Sequence, residues 1–223
     1  MEANPLASDV LFHIGPVPIG TAVVTTWVIM GLLTGISWFG MRRPQVHPGG
    51  LQLVLELIVE TIDAQLTEIL RRDTHPYLPL IATLFLFLVF ANLSAVVPEA
   101  KPPTGHVETP AALALIVFLS VHFFGIRVQG LRGYLAHYTR PNLLLAPLNV
   151  LSEFTRTFSL MVRLFGNMMS HEFMLAIVAF LAGLLLPIPF MLLGILIGLI
   201  QAYIFTVLAA VFVGAAVGSS ESG

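Results

Sequence analysis

Three observations predict an all-α polytopic membrane protein. Of the 223 residues, 57% are hydrophobic and 10% charged, where soluble domains carry about 25% charged residues. Residues 21–41, 74–98 and 109–126 contain no Asp, Glu, Lys or Arg. Residues 157–220 hold only two formal charges, Arg163 and Glu172. A hydrocarbon core of about 30 Å is crossed by about 20 apolar residues, and backbone inside lipid must satisfy its own hydrogen bonds, as a helix does. The predicted fold is five membrane helices plus an interfacial amphipathic helix, ending in a long tilted C-terminal helical hairpin. A soluble protein with a very apolar core is the competing reading, but too little polar sequence remains to cover such a core. The chain has no Cys, which excludes disulfides and thiolate metal sites. A net charge of -2 without a basic or acidic tail offers nothing to nucleic acid.

The elements follow in order. Residues 1–20 form a short outer segment, which carries Glu2 and Asp9 but lacks the basic start of a signal peptide. Residues 21–41 are the first membrane helix, closed by Arg42, Arg43 and the breaker PQVHPGG. Over 50–73, Glu56, Glu60, Asp63, Thr67 and Arg71 share one helical face and Leu55, Ile58, Ile62, Leu66 and Ile69 another. That segment lies in the cytoplasmic interface or packs on the spans. Residues 77–126 are a membrane helix pair, 77–97 and 110–126, joined by a proline-rich outer loop. A cytoplasmic connector over 127–149, broken by Pro141 and Pro147, leads to the hairpin at 148–218, where Pro187 and Pro189 mark the turn. Its first helix would be about 60 Å long at 1.5 Å per residue, so it must tilt, bend or leave the hydrocarbon. Gly194/Gly198 and Gly214/Gly218 are pairs that permit close helix approach. No internal repeat supports a transporter of duplicated halves.

Basic residues set the orientation. Arg42, Arg43, Arg71 and Arg72 fall in one inter-span segment and Arg127, Arg132, Arg140 and Arg156 in another, while the loop at 98–108 has only Lys101. Positive charge favours the cytoplasmic side. The N-terminus is therefore expected outside and the C-terminus inside.

Arg163 is the residue that most needs an explanation. It stands in FSLMVRLFGNM, and an Arg near mid-bilayer costs about 3 kcal/mol or more with no deprotonation to relieve it. It is either functional or a structural ion-pair partner. Glu172 is a poor partner on the same helix, because at 100° per residue it lies nearly opposite. Ser159, Asn167 and Ser170 form a polar stripe with Arg163, which faces another chain, water or a hydrogen-bonding helix. His171 and Glu172 lie on other faces and are groups that exchange protons near neutral pH once tuned. A metal site is disfavoured, since no second His follows His171 by four residues. Gln201 is the strongly polar side chain of the last helix and falls near the depth of Asn167 when the hairpin closes. Asn92, Glu99, His106 and Glu108 stand at the outer end, where they line an aqueous entry or make local contacts. His122 is the titratable group within the third span.

The segment LSEFTRTFSLMVRLFGNMMSHE (151–172), followed by LIQAYIFTVLAAVFV (199–213), resembles the ATP synthase subunit a family. The pattern SLxxRLFGNMxxxE appears as Ser159 to Glu172, and the Gln of the final-helix motif is Gln201. PGGLQLVLELIVETI (48–62) and FLFLVFANLSAVVP (85–98) also resemble the family, and the likeness covers residues 20–217. It implies a non-catalytic stator ion channel of a rotary F-type ATP synthase in a bacterial inner membrane. The partners implied are a c-subunit ring, the b subunits of a peripheral stalk, the rest of the complex and lipid. There is no cofactor; the ion is H+ or Na+. Arg163, with Asn167 and Gln201, would meet the ring carboxylate and separate two half-channels. The sequence departs from the family where Asn149 replaces an acidic residue and Thr157 a Pro. His171 stands where a small residue is usual, and Gly194 where the final helix often carries a titratable group; His171 could replace that group in space. A chain lacking a Gly-rich phosphate loop has no nucleotide site of its own. A stand-alone ion transporter or channel and a purely structural membrane subunit are the alternatives.

Overall fold

A computed structural model describes residues 10–14, 17–42, 49–96, 102–139, 146–183 and 187–218. A short hairpin pairs β1 (Val10–Ile14) with β2 (Val17–Gly20). Six helices follow: α1 (Thr21–Met41), α2 (Gly50–Leu70), α3 (Leu78–Leu93), α4 (Glu108–Thr139), α5 (Ala146–Ala182) and α6 (Pro187–Gly218). The β hairpin is an element that the outer N-terminal segment did not announce.

Among the described residues four helices, α1, α4, α5 and α6, are long and apolar enough to cross a membrane. The helix expected over 77–97 folds as the 16-residue α3, continued by a 3-10 turn at Ser94–Val96. The connector expected over 127–149 is corrected by the structure. Helix continues through it to Thr139, with a break at Gly130, whose φ of 72° only glycine adopts readily. The two prolines of that segment, Pro141 and Pro147, lie beyond the last turn of α4, so they never opposed the helix there.

The core is built around α6. It packs against α2, α3, α4 and α5, and its inward face carries Gly198, Ala202, Phe205, Ala209, Ala210, Val213 and Val217, all buried. Leu88 and Ala91 of α3, Val117 of α4, and Leu160 and Leu164 of α5 close onto that face. Small side chains let helix backbones approach, and in lipid it is this packing, not exclusion of water, that holds helices together. The apolar stripe of α2 turns inward through Ile62, Leu66 and Leu70, so α2 packs on the spans. At that end of the bundle the last carbonyls of α6 receive side-chain donors: Gln129 Nε2 to Ala216 O at 2.5 Å and Arg72 Nη1 to Val217 O at 3.4 Å. A cation beside a helix C-terminus is favourable, and these bonds satisfy carbonyls that have no intrahelical partner.

At the opposite end residues 102–105, before α4, do not lie on the surface. The 3-10 turn there, Pro103–Gly105, is buried and packs against α1, α3, α4 and α5. Thr104 Oγ1 donates to Asn92 Oδ1 at 2.9 Å, and Asn92 Nδ2 donates to Gly198 O at 2.7 Å. One buried amide thus ties the turn, α3 and α6 together.

Phe205 is fully buried at the centre of this packing whereas Phe39 on α1 is 77% exposed. Phe205→Ala is expected to destabilise by about 3 kcal/mol through the cavity it leaves, and Phe39→Ala by under about 0.5 kcal/mol. Thermal dissociation of the solubilised complex, followed by retention of this subunit on native gels, measures the difference.

Candidate functional site

The 37-residue α5 carries two contrasting faces. Leu160, Leu164, Met168 and His171 are buried against the bundle, while Ser152, Arg156, Ser159, Arg163, Asn167 and Ser170 are exposed. The exposed set recurs every three or four residues and therefore forms one stripe along the helix. Exposed apolar side chains flank it, among them Leu148, Leu151, Phe154, Phe158 and Val162. Arg163 makes no hydrogen bond or ion pair among the described residues, and lies in a groove also lined by Ser159, Leu160, Leu208 and Phe212. Glu172 does not approach it from the stripe, because its side chain lies against the buried turn at Pro103–Gly105.

Antiparallel packing of α5 and α6 is read from their contacts. His171 meets Gly194, Asn167 Nδ2 donates to Gln201 Oε1 at 2.5 Å, and the Arg156 guanidinium lies 5.9 Å from the Phe212 ring centre. Descending along α5 is ascending along α6. Gln201 itself is buried, and its Nε2 has no partner among the described residues. Its acceptor end is therefore committed to Asn167 while a donor remains available at the junction of the two helices.

His171 is buried with Nδ1 unpaired, and its ring occupies the space above Gly194: a Cβ there would fall 2.0 Å from His171 Nε2. Glu172 lies against the 3-10 turn, where a Cβ on Gly105 would fall 2.5 Å from its Oε1. Both acidic and basic groups thus depend on a missing side chain in the element they face. The structure brings Asn92, His171 and Glu172 to one end of the bundle, around the Thr104 turn. His106 follows that turn half-buried, and Glu108 is exposed at the first residue of α4. Ser170 points out with Arg163 rather than in with His171. Glu99 lies outside the described residues. His122 is elsewhere, on α4, 3.9 Å from Glu153. Among the described residues no three His, Cys, Asp or Glu side chains gather as a metal site would require.

Sequence reasoning missed Thr104, Gly105 and Glu153. The turn was hidden by its prolines, which read as a surface loop. Glu153 carried a usable signal, as an acidic residue beside Arg156 on a long helix that is otherwise poor in charge.

A bundle of apolar helices with an exposed polar stripe, on which Arg163 has no partner among the described residues, defines a multi-pass membrane protein. The comparisons make the assignment specific. The family model described as ATP synthase A chain matches residues 23–214. A protein called ATP synthase subunit a 2 from Bradyrhizobium sp. is 59% identical over 223 residues, all of both chains. Another of that name from Pelobacter propionicus is 47% identical over 215 residues, 96% of this chain and 94% of its own, and ATP synthase subunit a of Moorella thermoacetica is 44% identical over 203 residues, 91% and 93%. The chain belongs to the ATP synthase A chain family.

The His171–Gly194 fit predicts a second-site effect. Gly194→Ala should cut the yield of assembled complex several-fold, because Nε2 cannot share the space of a Cβ. Adding His171→Ala should restore most of that yield, measured on native gels of solubilised membranes.

Proposed function

We propose that this chain is the stator ion channel of a rotary F-type ATP synthase, coupling transmembrane ion flow to rotation of a ring of c subunits. The observation that carries it is Arg163, exposed and without a partner among the described residues on a polar stripe that carries no acidic side chain. Facing lipid, a fixed cation there would cost about 3 kcal/mol or more. Facing a ring whose subunits each carry a carboxylate, it favours the ionised form of that carboxylate.

In this mechanism an ion enters from the outer side along Asn92, His106, Glu108, Glu172 and His171. The unpaired Nδ1 of His171 gives a proton or water a place to stop, since a buried polar atom without a partner calls for one. His171 supplies from α5 the titratable group for which Gly194 leaves room on α6. The ion neutralises a ring carboxylate, which then passes into lipid. After nearly a full turn the site reaches the inner half-channel and the ion leaves. Arg163 repels a passing cation, so the two routes do not merge. Asn167 and Gln201, bonded to each other, hold α5 and α6 in register beside it. The driving force is about 2.3 kcal/mol per charge per 100 mV. Nucleotide chemistry belongs to other subunits.

The five-span topology fits this task. α3 and its 3-10 extension together reach about 30 Å, enough to cross. The N-terminus lies outside and the C-terminus in the cytoplasm, with Arg72, Arg127 and Arg132 inside, as positive charge prefers. The long α5–α6 hairpin tilts to follow the ring, b subunits of the peripheral stalk hold the chain stationary, and the membrane is the bacterial inner membrane. Titratable groups on both sides of Arg163, His171 and Glu172 toward one end and His122 toward the other, favour H+ over Na+.

In inverted vesicles holding the whole complex, Arg163→Ala is expected to abolish ATP-driven pumping, at least about 100-fold, while assembly on native gels is unchanged. Assembled complex that pumps at near wild-type rate would overturn the coupling role. With wild type in Na+-free medium, acidification of the lumen is expected; strict dependence on added Na+ would reassign the ion.

A further inference from the structure

At the far end of α5 from Glu172, three helices enclose a second polar site. A cavity of about 290 Å3 opens between α4, α5 and α6, lined on its polar side by Tyr134, Asn149, Ser152, Glu153, Arg156 and Thr157. That is room for several waters, each occupying roughly 30 Å3 in the liquid. His122 Nδ1 stands 3.9 Å from Glu153 Oε1, and the two side chains are 30% and 23% exposed. His122 Nδ1 also lies 2.8 Å from Phe118 O, so the ring donates Nδ1–H to that carbonyl and its Nε2 is the proton acceptor of the neutral form. Phe118 and the buried Tyr134 flank the imidazole at ring distances of 4.2 and 5.7 Å. The break at Gly130 is what returns Tyr134 to this place.

This cavity adjoins the Arg163 groove. Ser152, Arg156 and Phe212 line both. A water-filled path can therefore run from the neighbourhood of Arg163 to Glu153 on the Arg-rich side of Arg163, without passing the guanidinium.

We propose that Glu153 and His122 form a proton-exchange pair in the inner half-channel. The proposal rests on the ion-coupling reading of Arg163. A proton released by a ring carboxyl travels over cavity water to the Glu153 carboxylate, forming its O–H. Glu153 then gives that proton to cavity water and regains its charge, His122 Nε2 takes the proton from that water, and the inner phase takes it from Nε2. One proton enters and one leaves. Among the described residues, the charged and titratable groups facing the pair are Arg156 on α5 and Tyr134 on α4, and α6 contributes Phe212, Ala215 and Ala216 to the lining. The Arg156 guanidinium shares the cavity wall with Glu153.

The test uses the whole complex in inverted vesicles, with ATP-driven dye quenching in Na+-free medium read from pH 6 to 9 and assembly checked on each sample. Glu153→Gln is expected to lower pumping about 5- to 20-fold and to alter the shape of the pH profile; Glu153→Asp should keep most activity. His122→Gln should shift the profile with a smaller loss, about 2- to 5-fold. Asn149 lines the same cavity one turn away, so Asn149→Glu in the Glu153→Gln background should restore pumping by returning a carboxyl. Wild-type pumping and an unchanged profile in both Glu153→Gln and His122→Gln would overturn the pair. So would a loss that Asn149→Glu does not restore, which makes Glu153 a packing group. If Glu153→Gln fails to assemble, His122→Gln and Glu153→Asp decide by the same profile. Arg163→Ala on the same membranes separates the two readings: pumping that survives it sinks the coupling role itself, whereas pumping lost there but normal in the pair's variants sinks only the pair.

Discussion

An arginine in a membrane helix cannot shed its proton, so its charge must be answered by geometry. In α5 no described residue answers it. The face that packs inward is apolar through Leu160, Leu164 and Met168, and the face that carries Arg163 is turned away from the bundle. Small residues on α6 draw α3, α4 and α5 together on one side, which leaves the guanidinium stripe free on the other. A bundle that paired Arg163 internally would have a stable buried ion pair and nothing left to act on a passing carboxylate.

Around that charge the polar groups divide by direction along α5. Toward Ala182 they are His171 and Glu172, closed in by the buried turn and by Asn92. Toward Ala146 they are Glu153 and His122, closed in by the folded-back segment after Gly130. Neither group shares the exposed stripe, and the buried apolar turns between them carry no titratable side chain. Two polar ends separated by a fixed positive charge are what an ion needs in order to enter at one place and leave at another, since the charge repels a cation attempting the direct route.

The same economy of side chains recurs at the packing level. Gly194 admits the His171 ring and Gly105 admits the Glu172 carboxyl. Two titratable groups are thus held by what their neighbours lack. The Asn167–Gln201 bond then fixes how far α5 can slide along α6, because a shift of one turn would carry His171 off its glycine.

The sequence by itself determined the class, the long apolar helices and the position of an arginine among apolar residues. Long uncharged runs, the proline pair at Pro187 and Pro189, and an Arg among Leu, Val and Phe are local signals, because crossing hydrocarbon imposes a local rule on every residue. The same locality placed Asn167 one turn from Arg163 and let Gln201 be matched to it in depth. Tertiary structure alone decided which distant residues meet. That the turn at Pro103–Gly105 plunges into the bundle depends on space left by four helices, and no residue in it is apolar enough to announce burial. That helix runs on through 127–139 depends on Gly130 absorbing a break that other residues could not. His122 and Glu153 stand on different helices, and periodicity within either says nothing about the other. Pairing between elements is set by how whole faces fit, and that information exists only once the helices are packed.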